Sequence, residues 1–90
     1  MNQNTVNKIL FFAKAKEIVG KSSVENLSIN LPENATGSDL KSAIIELFPA
    51  LEILKGRFVL ALDQIYVTED CNISLTCKSE IAVIPPLGGG

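Results

Sequence analysis

Apolar positions change their spacing several times along the chain, and each change marks an element. Ile9-Leu10-Phe11-Phe12 is a short unbroken apolar run, and the segment Asn7–Phe12 predicts a first strand. The polar stretch Met1–Asn4 before it reads as a frayed end. Ala13–Val19 is rich in helix formers and is followed by Gly20, a residue suited to the left-handed position just past a helix. In Val24–Leu31 the apolar Leu27, Ile29 and Leu31 alternate with Ser28 and Asn30, the period of a half-buried strand, and Pro32 blocks its continuation.

The clearest periodic segment follows. Leu40, Ala43, Ile44, Leu47 and Leu51 recur at helical spacing, with Lys41, Ser42 and Glu46 on the other side. Thr36 stands where an N-cap belongs, and Asp39 three residues later completes a capping-box variant. Pro49 ends or kinks this helix near Phe48. Its apolar stripe reads as a core-packing face.

Beyond it the period returns to that of strands. Phe58–Leu62 and Ile65–Val67 are short apolar segments joined by a tight turn at Asp63-Gln64. A loop runs through Glu69-Asp70, with a helical turn expected near Ile73–Thr76. Ile81–Ile84 is the last strand, and Pro85-Pro86 ends it because neither residue can donate to a sheet ladder.

The order β-α-β-α-β-β-β, or β-β-α-β-β if the first helix is minor, predicts an α+β domain. A mixed sheet with one main helix packed on one face accounts for it, with the first and last strands paired centrally. This is the β-grasp, or ubiquitin-like, arrangement: a domain over residues 1–84 and an extended, flexible C-terminal tail over 85–90. Alternation assigns faces. Ile9 and Phe11 point one way and Leu10 and Phe12 the other, while Ile81 and Val83 oppose Ala82 and Ile84. One helix covers one face, so Phe12 and Ile84, with Tyr66, are expected to form an apolar patch for a partner.

Composition narrows the chemistry. Ninety residues with 47% apolar and 20% charged side chains make one compact domain and not a disordered chain. A net charge of -2 without a basic cluster argues against nucleic-acid binding. No apolar run reaches the roughly 18–20 residues of a membrane span, and Ile9–Ala13 is shorter than the roughly 7–15 apolar residues of a signal-peptide core. A cytoplasmic location follows as the expectation. The chain contains no histidine, which removes the commonest general base and metal ligand. Cys71 and Cys77 are spaced as neither a CxxC redox pair nor a zinc-ligand pair and read as ordinary thiols, so no metal site is expected.

The end of the chain carries a different chemistry. Residues 81–90 have no charged side chain. Pro85-Pro86 favours a stiff, extended exit, and Gly88-Gly89-Gly90 can thread a narrow channel because glycine lacks a Cβ. The five residues after Pro85 span up to about 17 Å when extended. An unhindered glycyl carboxylate suits adenylation by ATP on another protein, followed by displacement of AMP by sulfur or an amine. A run of three glycines alone is also what an appended or frayed terminus looks like; its place directly after a strand and Pro-Pro gives it meaning.

Two segments carry a family resemblance. Ile9-Leu10-Phe11-Phe12-Ala13-Lys14-Ala15-Lys16-Glu17-Ile18-Val19-Gly20 resembles the opening strand and helix of the small subunit of molybdopterin synthase. Glu80-Ile81-Ala82-Val83-Ile84-Pro85-Pro86-Leu87-Gly88-Gly89-Gly90 resembles that family's closing strand and tail. The helix Ser38–Pro49 and the segment Leu60–Gln64 fall in matching order, so the resemblance spans roughly Lys8 to Gly90. It departs at Lys78-Ser79, where the family usually has Gly-Asp, at Asp63-Gln64, often Asn-Gln, and at Gly88, more often Ser, Ala or Thr.

The resemblance implies a sulfur carrier that is not catalytic alone. Gly90 would be adenylated by an E1-like activating and sulfurating enzyme that uses ATP, and converted to a thiocarboxylate. Gly89 would be its unhindered neighbour, and Pro85, Pro86, Leu87 and Gly88 would guide the tail into the large subunit. There sulfur would pass to cyclic pyranopterin monophosphate to build the dithiolene of molybdopterin, in a heterotetramer of two large and two small subunits. Phe12, Tyr66 and Ile84 match the family's apolar docking surface, and no cofactor is expected on this chain itself. Related destinations for the same chemistry are thiamine synthesis, tRNA thiolation and ubiquitin-like conjugation. A β-grasp interaction module with an inert tail is the alternative from another class.

Overall fold

The computed structural model describes residues 2–86. Within them five strands and two α-helices follow as β1 (Asn2–Phe11), α1 (Ala13–Val19), β2 (Ser23–Leu31), α2 (Gly37–Leu47), β3 (Val59–Leu62), β4 (Ile65–Val67) and β5 (Glu80–Ile84), with a 3-10 helix at Pro49–Leu54 between α2 and β3. The strands form one sheet in the order β2-β1-β5-β3-β4. β1 and β5 run parallel, with Ile9 opposite Ile81, and the other pairs are antiparallel. This is the ubiquitin-like β-grasp arrangement that the order of elements predicts.

The core lies between the sheet and α2. Ile9, Phe11, Ile81 and Val83 are buried on one sheet face and share a cluster with Leu40, Ile44 and Leu51. Burial of these side chains on folding is the main stabilising term, at about 25 cal/mol per Å² of apolar surface removed from water. The Phe11 and Phe48 rings meet edge to face at a centroid distance of 5.0 Å, so the end of α2 is pinned over β1.

Local chemistry explains the helix bounds. α1 ends at Gly20, which has φ 84° and donates its N–H to the Lys16 carbonyl at 2.8 Å. α2 starts at the capping box: Thr36 donates its N–H to Asp39 Oδ2 at 2.9 Å, and Asp39 returns its N–H to Thr36 Oγ1 at 3.4 Å. Pro49 ends α2 at Phe48 and opens the 3-10 helix, an element the apolar spacing does not separate from α2. Leu51 therefore reaches the core from the 3-10 helix, whereas Leu47, on the expected stripe, is 40% exposed.

Two further expectations are corrected. Asn2–Asn4 are not frayed: they pair with Leu31, Asn30 and Ile29 of β2, because an edge strand with free donors and acceptors extends the ladder whatever its side chains. Ile73–Thr76 is not helical. Ile73 donates its N–H to the Ala35 carbonyl, and the turn comes later, where Ser79 donates to the Thr76 carbonyl at 3.0 Å. The alternation expected for Ile9–Phe12 holds, but β1 extends further back and changes phase there: Val6 and Ile9 are both fully buried. The N–H groups of Asn7 and Lys8 converge on the Ser79 carbonyl, and Asn26 across the ladder takes φ 52°, so both strands shift phase together.

Candidate functional site

Phase at the sheet centre decides which residues face away from the helices. Core-facing Ile9, Phe11, Ile81 and Val83 leave Leu10, Phe12, Ala82 and Ile84 on the opposite face. The register carries this row across the sheet: Leu10 lies opposite Ala82, Ala82 opposite Ala61, and Ala61 opposite Tyr66. A second row sets Ile84 opposite Val59, with Phe12 tied to β5 through its N–H, which donates to the Val83 carbonyl at 3.2 Å.

This open face is apolar and wet. Phe12 is 46% exposed, Tyr66 70% and Val59 50%, and Ile84 is half-buried. Phe12, Tyr66 and Ile84, which sequence reasoning brings together, line one shallow depression of about 320 Å³ with Leu10, Ala61 and Ala82. The two alanines paired across β3 and β5 have short side chains among larger neighbours, which is why there is a hollow. Its polar lining is Gln64 and Glu80. Val59 and Ala61 were not singled out from the sequence, although the alternation within Phe58–Leu62 puts both opposite Leu60 and so carried the signal.

The hairpin between β3 and β4 holds Tyr66 in place. Asp63 and Gln64 have φ 50° and 71°, the left-handed pair of a type I′ turn whose twist matches that of the strands. Asp63 Oδ1 also accepts the Glu80 N–H at 2.9 Å, and Asp63 donates its own N–H to the Glu80 carbonyl at 2.8 Å. Ser79, 2% exposed, accepts the Thr76 N–H on its Oγ at 2.9 Å. Of the departures from the family pattern, the two that lie among the described residues, Asp63-Gln64 and Lys78-Ser79, thus each supply a side-chain acceptor for a backbone N–H.

The exit of the tail is the second part of the site. Pro85 is buried and Pro86 exposed. They lie with Ile84 along a groove of about 500 Å³ whose other wall is Lys41, Arg57, Phe58 and Val59. Lys41 Nζ donates to the Gly56 carbonyl at 2.7 Å, stands 3.5 Å from the Glu69 carboxylate and lies 5.0 Å above the Phe58 ring. It thereby ties α2 to the approach to β3, beside the root of the tail. Lys41 and Arg57 are far apart in sequence and no motif links them, so only the fold shows their meeting. Leu87, Gly88, Gly89 and Gly90 lie outside the described residues.

Cys71 and Cys77 are both free thiols. Among the described residues no helix is long and apolar enough to cross a membrane. Nothing in the open face amounts to an acid–base or nucleophilic pair; its geometry suits docking.

Residues 9–90 match the ThiS family, a span that includes both the open face and the glycine end. The chain belongs to the ThiS family. Its relatives include the molybdopterin synthase sulfur carrier subunit of Caenorhabditis elegans, 39% identical over 83 residues, covering 92% of this chain and 95% of that one. The human protein described in the same words is 34% identical over 84 residues, covering 92% of each. Among solved structures, small archaeal modifier protein 1 from Haloferax volcanii superposes with a TM-score of 0.70 at 21% identity, covering 99% of this chain and all of that one. The Methanosarcina acetivorans counterpart gives 0.68 at 20% identity over the whole of both chains. At those identities the structural neighbours establish the β-grasp fold alone.

Proposed function

We propose that this chain is the sulfur carrier subunit of molybdopterin synthase. The observation that carries the reading is a family match that continues through Gly90, joined to an identity of 39% with a protein of that name along nearly its full length. The open apolar face and the groove at Pro85-Pro86 support it, because a carrier needs one surface for recognition and one free end for chemistry.

The steps follow from carboxyl chemistry. The Gly90 carboxylate attacks the α-phosphorus of ATP on an E1-like enzyme, releasing pyrophosphate and leaving an acyl adenylate. Sulfur at the sulfide level then attacks the acyl carbon, the bond to AMP breaks, and the carrier ends as a thiocarboxylate. Gly89 gives this exchange its least hindered surroundings, since no Cβ flanks the reacting carbonyl. Docked on the large subunit, the chain delivers that sulfur to cyclic pyranopterin monophosphate, and hydrolysis of the remaining acyl group restores the carboxylate. Phe12, Tyr66 and Ile84 provide the docking contact, and Pro85 to Gly88 lead the end into the partner. The work takes place in the cytoplasm, and the chain binds no cofactor of its own.

Docking has a thermodynamic role. Ordering tail residues costs about 1–2 kcal/mol each in backbone entropy. An apolar contact at about 25 cal/mol per Å² offsets this only if it lies outside the tail, where the open face is.

The test is intact-mass analysis after incubation with an activating enzyme, ATP and a sulfur source. A gain equal to one oxygen-to-sulfur exchange, located at Gly90 and absent from a chain lacking Gly89 and Gly90, is expected. No gain, or isopeptide-linked products in its place, would refute the assignment.

A further inference from the structure

The chain leaves the sheet for α1 through a residue in an unfavourable conformation. Ala13 has φ 51°, in the left-handed region that a Cβ makes costly. The other non-glycine residues of this kind among those described have evident reasons. Asn26 and Asn34 tolerate the region, Asp63 and Gln64 form the hairpin turn, and Lys55 closes the 3-10 helix. Ala13 alone opens a helix.

Such a conformation persists where its surroundings over-determine it. On one side, Phe12 donates its N–H to the Val83 carbonyl at 3.2 Å, which holds it in sheet register. On the other, the Phe12 carbonyl accepts the Ala15 N–H at 3.0 Å, which starts the helix. Phe12 lies on the open face and is 46% exposed, whereas Ala15 is fully buried against the core. The chain therefore passes from the open face to the covered one within three residues. A right-handed residue at 13 would continue the helix from a different direction, and either Phe12 would leave its register or Ala15 would leave the core.

We infer that Ala13 is a positioning residue for the docking face: its left-handed backbone, and not its methyl group, aims the Phe12 ring alongside Ile84. The inference rests on the proposal that this face receives the large subunit.

A double-mutant cycle tests it, read by calorimetric titration of the full-length chain with purified large subunit of molybdopterin synthase. Ala13→Val places a β-branched residue where such residues are genuine outliers, and is expected to weaken binding about tenfold. Ala13→Gly and Ala13→Asn suit the left-handed region and are expected to bind within about twofold of wild type. Phe12→Ala weakens binding by itself. In that background Ala13→Val is expected to change the Kd by less than about twofold, because the ring it would misplace is gone.

A purely structural role would lower Tm and affinity alike in both backgrounds. Equal affinity losses with and without Phe12, or unchanged affinity for Ala13→Val, therefore overturn the inference. Should Ala13→Val fail to fold, Ala13→Leu, unbranched at Cβ, enters the same cycle under the same criteria. Failure of the wild-type chain to bind overturns the docking proposal and the inference with it, and it is distinguishable because it precedes any substitution.

Discussion

Gly37→Ala sets two well-understood effects against each other at the start of α2. Alanine is the better helix former, and the exchange gains at most about 1 kcal/mol in a helix interior, less at the first helical position. The structure opposes it. A Cβ on Gly37 would run into the Thr68 carbonyl oxygen and come within 2.7 Å of Val67 Cγ1. Neither obstacle yields freely, since Val67 belongs to β4 and the Thr68 carbonyl accepts the Cys71 N–H at 3.3 Å. The helix end is bound to the same loop: Gly37 and Ser38 donate their N–H groups to the carbonyls of Cys71 and Glu69, each at 2.9 Å. Overpacking of this kind costs about 1–3 kcal/mol, and a backbone obstacle points to the upper part of that range. The net is a loss of about 2 kcal/mol, or roughly 8–16 °C in Tm for a domain of this size. Because Val67 follows Tyr66, the displaced strand also disturbs the open face, so weaker large-subunit binding is expected alongside. Calorimetry and urea denaturation measure the stability, with an unchanged m-value showing that the unfolded state is not the cause. A Tm equal to or above that of the wild type would refute the reasoning, because helix propensity would then have outweighed the contact.

Other perturbations separate the face from the core. Phe12→Lys is expected to weaken large-subunit binding at least tenfold, about 1.4 kcal/mol, while leaving a cooperative melt; loss of folding would mean that Phe12 belongs to the core. Ile81→Ala, near the start of β5 and fully buried, is expected to cost about 2–5 kcal/mol of stability by denaturant titration. Thr36→Ala removes the acceptor for the Asp39 N–H and is expected to cost about 1 kcal/mol, read as a lowered urea midpoint at constant m-value.

Local pattern by itself determined most of the element boundaries. Gly20, Pro32, Pro49 and Pro85-Pro86 act on their own residues and immediate neighbours, so the ends they impose need no tertiary context. The capping box at Thr36 and Asp39 and the tight turn at Asp63-Gln64 are likewise short-range, and both are present as read. Alternation at the strongest strands also sufficed to place Phe12 and Ile84 on the face opposite Ile9 and Ile81, because successive side chains must point to opposite sides.

What the tertiary structure decided was whatever depends on a distant partner. Asn2–Asn4 became strand because β2 offers their backbone a ladder, which polar side chains cannot signal. The phase shift between Val6 and Ile9 depends on the Ser79 carbonyl and on the left-handed Asn26, both remote in sequence. Lys41 reaches the tail root through the Gly56 carbonyl, and Ala61 meets Ala82 through strand order, so the groove and the hollow had no local signature. The left-handed turn at Ala13 belongs to the same class. Alanine prefers the right-handed helix, and only the opposing demands of Phe12 in the sheet and Ala15 in the core force it the other way.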